Sequence, residues 1–194
     1  EAWGIQRPIF LYVGQMTERK GVRQLLAGWE LYSYRGGRGS LVLAGDGALL
    51  DVFKAMCQTR QLARVIFFGG VPYDRVAETY VSADVFIIAT LEDNWSLVVP
   101  EAMACGLPVA CSMYNGCWPE LVKDGENGAV FDPLKPGDIA RCMQYFAENR
   151  DSLSVMGSVS QAIEPKFTPK HAASAALAAC EVALARVRGG AARR

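Results

Sequence analysis

Short, uninterrupted apolar runs alternate with amphipathic ones along most of this chain. Ile9–Val13, Leu41–Ala44, Val65–Phe68, Val85–Ile88, Val109–Cys111 and Gly128–Phe131 contain no charged residue. A strand wetted on one face alternates apolar with polar, so these runs predict strands buried on both faces. Amphipathic stretches separate them. Val22–Tyr34 sets Leu25, Leu26, Trp29 and Tyr32 at helical spacing. Further helices are expected over 49–60, over 73–82 behind Pro72, and from about Ser96 to Gly106. Beyond Pro136 the pattern is helical over about 137–148, 151–162 and from Pro169 to about Arg188, and Gly189–Arg194 reads as a frayed, disordered tail. Buried strands alternating with helices predict an α/β fold, a Rossmann-like doubly wound parallel sheet of about six strands with a helical C-terminal tail. One domain is expected over residues 1–188.

The chain has 194 residues, 51% of them hydrophobic, enough for one sizeable core. Twenty basic side chains balance twenty acidic ones, and the basic ones are scattered. No polyanion-binding surface is expected, and nucleic acid is not an expected partner. No apolar run approaches the roughly 18 residues of a membrane span, and Glu1–Gly4 shows no basic cap of a leader. The six cysteines form no C-x-x-C pair and there is one histidine, His171. Core thiols in a reducing compartment, with no metal site, are the expectation.

The chemistry concentrates where strands end. Val13-Gly14-Gln15 leads through Arg19 and Lys20 into a helix, placing Lys20 where it can reach back to an anion. Gly45-Asp46-Gly47 lacks the third glycine of a dinucleotide fingerprint and reads as a tight turn. Phe68–Pro72 offers backbone groups to a base edge, or is an ordinary connection. After Val85–Ile88 come Asp93, Asn94, Trp95 and Ser96, then a helix carrying Glu101. A helix start facing a strand end binds anions, because its first amides have no partner within the helix. Ser96 is expected to cap that helix, leaving the amides of Ser96, Leu97 and Val98 free for a diphosphate. Glu101 suits ribose hydroxyls and Asp93 a transferred sugar. Both acids also fit plain helix-terminus roles. Glu120 is expected to pin its loop, and His171 to lie on an exposed helix without a catalytic role.

In this order the motifs resemble the C-terminal domain of GT-B glycosyltransferases of group 1, the retaining family 4. Its chains read V-G-R-x-x-x-x-K-G, G-x-G, F-x-G-x-V, E-x-F-G-x-x-x-x-E-A-M-A-x-G-x-P-V, G-G-x-x-E and D-G-x-N-G. The counterparts here are Val13–Gly21, Gly45–Gly47, Phe67–Val71, Asp93–Val109, Gly116–Glu120 and Asp124–Gly128. The resemblance implies one half of a GT-B enzyme, which moves a sugar from a nucleotide diphosphate sugar to a glycan, lipid or small-molecule acceptor. Gly14, Gln15, Arg19, Val71, Asn94, Ser96, Leu97, Val98 and Glu101 would bind the donor, with Lys20 and Asp93 catalytic. Lys20 and Gln15 would hold the diphosphate, Glu101 the ribose, Asp93 the sugar, and the base would lie near Val71. No cofactor and no bound metal are implied, since cationic side chains and helix amides stabilise the leaving diphosphate. The implied partner is an N-terminal acceptor-binding domain of the same parent protein, in the cytosol or on the cytoplasmic side of a membrane. Three residues depart from the pattern. Gln15 stands for Arg, Asp93 for Glu and Ser96 for Gly, and Arg19 is the candidate to replace the charge lost at 15. Two alternatives stay open: a non-catalytic donor-binding or interaction module, and a sugar-nucleotide epimerase of related fold.

Overall fold

The computed structural model describes residues 4–191, with side chains as far as Ala185. Six strands form one parallel sheet: β1 (Ile9–Val13), β2 (Ser40–Ala44), β3 (Val65–Gly69), β4 (Val85–Ile88), β5 (Val109–Ser112) and β6 (Gly128–Phe131). Their order across the sheet is β3-β2-β1-β4-β5-β6. The helices are α1 (Val22–Tyr34), α2 (Leu50–Thr59), α3 (Val76–Val81), α4 (Val98–Ala104), α5 (Trp118–Leu121), α6 (Pro136–Glu148), α7 (Leu153–Ile163) and α8 (Pro169–Ala191). The expected doubly wound architecture is present.

Both faces of β2, β1, β4 and β5 are buried, which explains their missing polar alternation; the edge strand β3 is only half-buried and exposes Phe68, against the expectation for Val65–Phe68. Phe10, Tyr12, Leu41, Leu43, Val85 and Ile87 face α1, α2 and α6. Ile9, Leu11, Val42, Ala44, Phe86 and Ile88 face α3, α4 and α5. The first layer centres on Trp29 and Tyr32 of α1, whose rings lie 6.2 and 5.9 Å from that of Phe10 at steep angles. Their polar tips are satisfied: Trp29 Nε1 donates to the Ala63 carbonyl at 3.0 Å and Tyr32 Oη to that of Arg38 at 2.6 Å. Such rings supply large buried area without stranded polar atoms.

The chain departs from the sequence reading in four places. The helix expected over 73–82 opens as a 3₁₀ turn, Tyr73–Arg75, before α3. Trp118–Leu121, read as loop, forms the single turn α5 with Pro119 in its first positions. Helix α4 begins at Val98 rather than Ser96. Finally, α8 runs on to Ala191, so Gly189–Ala191 are helical rather than a frayed tail. Residues 192–194 of that expected tail, and Glu1–Trp3 of the expected leaderless start, lie outside the described residues.

Candidate donor site at the switch point of the sheet

Strand β1 sits between β2 and β4, so the chain winds away from it in both directions. In such sheets ligands bind beyond the carboxyl ends of the strands at this point of reversal. The segments following β1, β2, β3, β4 and β5 all emerge at that edge. A cleft of about 380 Å³ opens there, lined by Val13, Gly14, Gln15, Gly45, Asp46, Gly70 and Val71 among others. Gly45-Asp46-Gly47 is the expected tight turn, its amide at Gly47 donating to Asp46 Oδ1 at 2.7 Å.

Lys20 closes a 3₁₀ turn, Glu18–Lys20, immediately before α1. Gly21 follows in the left-handed region (φ 68°), where a Cβ would stand 1.8 Å from the Ala89 carbonyl. Only glycine lets this turn lie against the end of β4. The Thr90 hydroxyl lies 3.1 Å from the carbonyls of both Arg19 and Glu92, and Leu91 N–H donates to the Arg19 carbonyl at 2.8 Å. The β1 and β4 loops are thereby stitched together. As a result Lys20 Nζ donates to Asp93 Oδ2 at 2.5 Å. Arg19 approaches the same oxygen at 3.9 Å and donates to the Glu92 carbonyl at 3.0 Å. The pair is largely buried, with side-chain exposures of 16% for Lys20 and 12% for Asp93. Burial pushes the Asp93 carboxyl up and is the largest single influence, but the Lys20 hydrogen bond and charge, together with the smaller contributions of neighbouring donors, outweigh it and hold the group below its ordinary value.

The turn after β4 differs from the sequence expectation. Ser96 does not cap α4: the N-cap position is Leu97, with no side-chain hydrogen bond. The Ser96 hydroxyl is buried and has no partner among the described residues. Asp93 organises the turn instead, its Oδ1 accepting Trp95 N–H at 3.3 Å. The reason is tertiary. The β5–α5 loop docks on this turn, with Gly116 N–H donating to the Asp93 carbonyl at 2.7 Å. A Cβ at Gly116 would stand 2.2 Å from the Asn94 carbonyl. That docking holds 93–96 outside the helix, and the helix starts two residues late. The amides of Leu97 and Val98 find no acceptor among the described residues, as the first amides of a helix do.

Glu101 is half-buried on α4, where its Oε2 accepts the Tyr80 hydroxyl at 2.9 Å. Val71 and Gln15 both line the cleft, with Gln15 exposed. Gly14, Gln15, Arg19, Lys20, Val71, Asp93, Asn94, Ser96, Leu97, Val98 and Glu101 thus all lie in or just after the strand-end segments of this one edge. Glu120, expected to pin its loop, is exposed with no hydrogen bond among the described residues. Trp118 Nε1 secures that loop, donating to the Met113 carbonyl at 3.0 Å. Asp124–Gly128 precedes β6 and so lies at the opposite, amino edge. There Asn127 accepts from Lys123 N–H and donates to the Leu121 carbonyl, a structural role. His171 is on exposed α8, as expected. Among the described residues no three His, Cys, Asp or Glu side chains gather as metal ligands would, and no helix is long and apolar enough to cross a membrane.

Sequence reasoning missed Thr90, Ser112 and Asn115, all fully buried. Ser112 Oγ donates to the Thr90 carbonyl at 2.6 Å and accepts Tyr114 N–H at 3.1 Å, linking the β4 and β5 ends. A polar residue closing each apolar run was the available signal.

Fold and site together define a Rossmann-like domain of the kind that forms the C-terminal half of a GT-B glycosyltransferase. A family model described as glycosyl transferases group 1 matches residues 2–161, and the chain belongs to that family. It is 34% identical over 133 residues to an uncharacterized glycosyltransferase of Methanocaldococcus jannaschii, covering 68% of this chain and 34% of that protein. It is 30% identical over 141 residues to a GDP-mannose-dependent α-(1-6)-phosphatidylinositol monomannoside mannosyltransferase of Mycolicibacterium smegmatis, covering 68% and 37% respectively. Among solved structures, sucrose-phosphate synthase of Thermosynechococcus elongatus aligns with a TM-score of 0.78 at 25% identity, over 93% of this chain and 46% of that one. The chain spans about a third of the length of the curated relatives it matches.

Proposed function

We propose that this chain is the donor-binding domain of a retaining, metal-independent glycosyltransferase of family 4 that uses a nucleotide diphosphate sugar. One observation carries the reading. Lys20 and Asp93, from loops 73 residues apart, meet at 2.5 Å beside the free amides of Leu97 and Val98, at the switch point of the sheet.

The ammonium has three hydrogens and spends one on Asp93, so two remain for diphosphate oxygens. With the Leu97 and Val98 amides they form a fixed set of donors. Negative charge that develops on the departing diphosphate meets dipoles already in place, so little reorganisation is needed as the glycosidic bond breaks. Asp93 keeps the ammonium aimed and lies where the sugar attached to the diphosphate would sit. The base enters at Gly70–Val71 and the ribose meets Glu101. No metal and no cofactor is required.

The acceptor side belongs to a partner, the N-terminal domain of the parent protein. Helix α8 supports this. Every side chain from Pro169 to Ala185 is exposed, and Ala173, Leu177, Cys180 and Leu184 form an apolar seam with no cover. Such a seam is the kind of helix face that packs against another domain. A reducing compartment such as the cytosol fits six free thiols.

Calorimetric titration of this chain with UDP, GDP and ADP, and of their glucose or mannose conjugates, tests the binding half. Saturable binding to one base series is expected. No heat with any of them would overturn the reading. Transfer or slow donor hydrolysis by the parent protein, lost in Asp93→Ala, tests the enzymatic half. Gln15, neutral where a cation would strengthen phosphate binding, favours one alternative: a module that binds donor and transfers nothing. Donor binding without turnover in the parent would establish it.

A further inference from the structure

Tyr80 on α3 is 1% exposed and sits in the apolar layer beneath α4, its ring edge-on to Phe86 at 5.8 Å and 66°. Its hydroxyl nevertheless reaches half-buried Glu101 and donates to its Oε2 at 2.9 Å. Burial, reinforced by the neighbouring Glu101 carboxylate, pushes the phenol far above its ordinary value, so it is a donor at every physiological pH. Packing already fixes both helices here: Val99, Ala102 and Met103 anchor α4, and the Tyr80 ring anchors α3. The polar contact therefore holds not the helices but the carboxylate. Glu101 has three side-chain torsions, and an unheld carboxylate at a cleft rim samples several rotamers.

We propose that Tyr80 is a positioning residue for donor recognition: it occupies Glu101 Oε2 and presents Oε1 to the ribose hydroxyls. This rests on the reading above that Glu101 holds the ribose. It adds a link that the motifs do not contain. Helix α3 follows directly on the 3₁₀ turn after Gly70–Pro72, the loop assigned to the base. One tyrosine thus ties the element that meets the base to the acid that meets the sugar ring beside it. Both then move together, and a nucleoside must present base and hydroxyls in one fixed relation.

Tyr80→Phe keeps the ring and removes only the donor. Its test is calorimetric titration of the whole chain with UDP, GDP and ADP and with the 2′,3′-dideoxy form of whichever binds. In the wild-type chain the dideoxy form binds more weakly. In Tyr80→Phe the ribonucleotide loses about three- to tenfold while the dideoxy form is unchanged, so the discrimination between them collapses. Glu101→Gln gives the same collapse, and the double variant is no worse than Glu101→Gln alone. A merely structural tyrosine weakens both ligands equally, and that result overturns the inference. Collapse in Glu101→Gln with full discrimination in Tyr80→Phe overturns the positioning role alone. Full discrimination in Glu101→Gln overturns the ribose reading itself.

Discussion

Replacing Lys20 with Met separates two jobs that one ammonium performs. The stem is retained and the charge removed. At an effective dielectric of about 20, unit charges 2.5 Å apart attract by roughly 7 kcal/mol before the desolvation of either is charged against it. Stripping one partner from a fully buried pair costs about 3–5 kcal/mol. Here solvent still reaches both ends, and a net loss of about 2 kcal/mol is expected. For a domain of this size that lowers Tm by about 4–8 °C. Asp93→Asn should cost a similar amount. Lys20→Met with Asp93→Asn leaves no uncompensated charge and should return to within about 1 kcal/mol of wild type. Nucleotide affinity must behave differently. The lost charge-assisted hydrogen bond to diphosphate is worth about 1.5–3 kcal/mol, a ten- to hundredfold rise in Kd, and the double variant does not regain it. Thermal denaturation with and without nucleotide reads both quantities. Ligand at 100 times its Kd adds about 2.7 kcal/mol to the wild-type chain, or about 5–10 °C. At the same concentration Lys20→Met stands at about 1–10 times its own Kd and should retain only about 0.4–1.4 kcal/mol of that stabilisation, while the distant Cys180→Ser keeps it in full. If Lys20→Met keeps the ligand-induced shift, or if Asp93→Asn restores it, the ammonium does not bind diphosphate.

Other expectations follow from the same geometry. Asp93 is depressed, so its stabilisation is complete above the ordinary 3.8 and is lost as pH falls through the lower folded value. The stability gap between wild type and Asp93→Asn, followed by denaturant titration, should be largest at pH 7 and shrink below pH 3.8. Ser96→Ala removes a buried hydroxyl that makes no hydrogen bond among the described residues and should be neutral or stabilising by up to about 1 kcal/mol, whereas loss of a true cap would cost about that much. Gly116→Ala drives a methyl into the Asn94 carbonyl and should cost about 2 kcal/mol with a measurable loss of nucleotide affinity by calorimetry. Gln15→Arg places a guanidinium in the cleft and should tighten diphosphate binding about tenfold; unchanged affinity would show that Gln15 does not face the phosphates.

Much of the architecture was legible because its causes are local and periodic. Helix α1 has the expected bounds, since Leu25, Leu26, Trp29 and Tyr32 are all core residues spaced for one face. The strands were recoverable because burial leaves no charged residue in them and confines their serines, Ser40 and Ser112, to strand ends. The turn at 93–97 was misjudged because serine before a helix is a local signal, and a loop twenty residues further on overrides it through Gly116. Helix α5 was missed because Gly116-Cys117-Trp118-Pro119 has a turn's composition, and its helicity depends on that same docking. The strand-end positions of the candidate residues were enough to put them at one sheet edge, but not to pair them. Nothing in the order of residues says that Lys20 and Asp93 touch, since that contact exists only because β1 and β4 are neighbours.

Because β1 and β4 are neighbours, the proposed donor site assembles late. β1 can pair with β2 early, but the Lys20 ammonium has no counter-ion until the chain has been made as far as β4 and that strand has inserted on the other side. Long-range closures of this kind come late and cooperatively. A nascent or truncated chain ending near residue 84 would hold half the sheet and lack the proposed diphosphate-binding pair. Adding back a peptide spanning β4 and α4 should restore affinity in a single step, which makes nucleotide capture a reporter of complete folding.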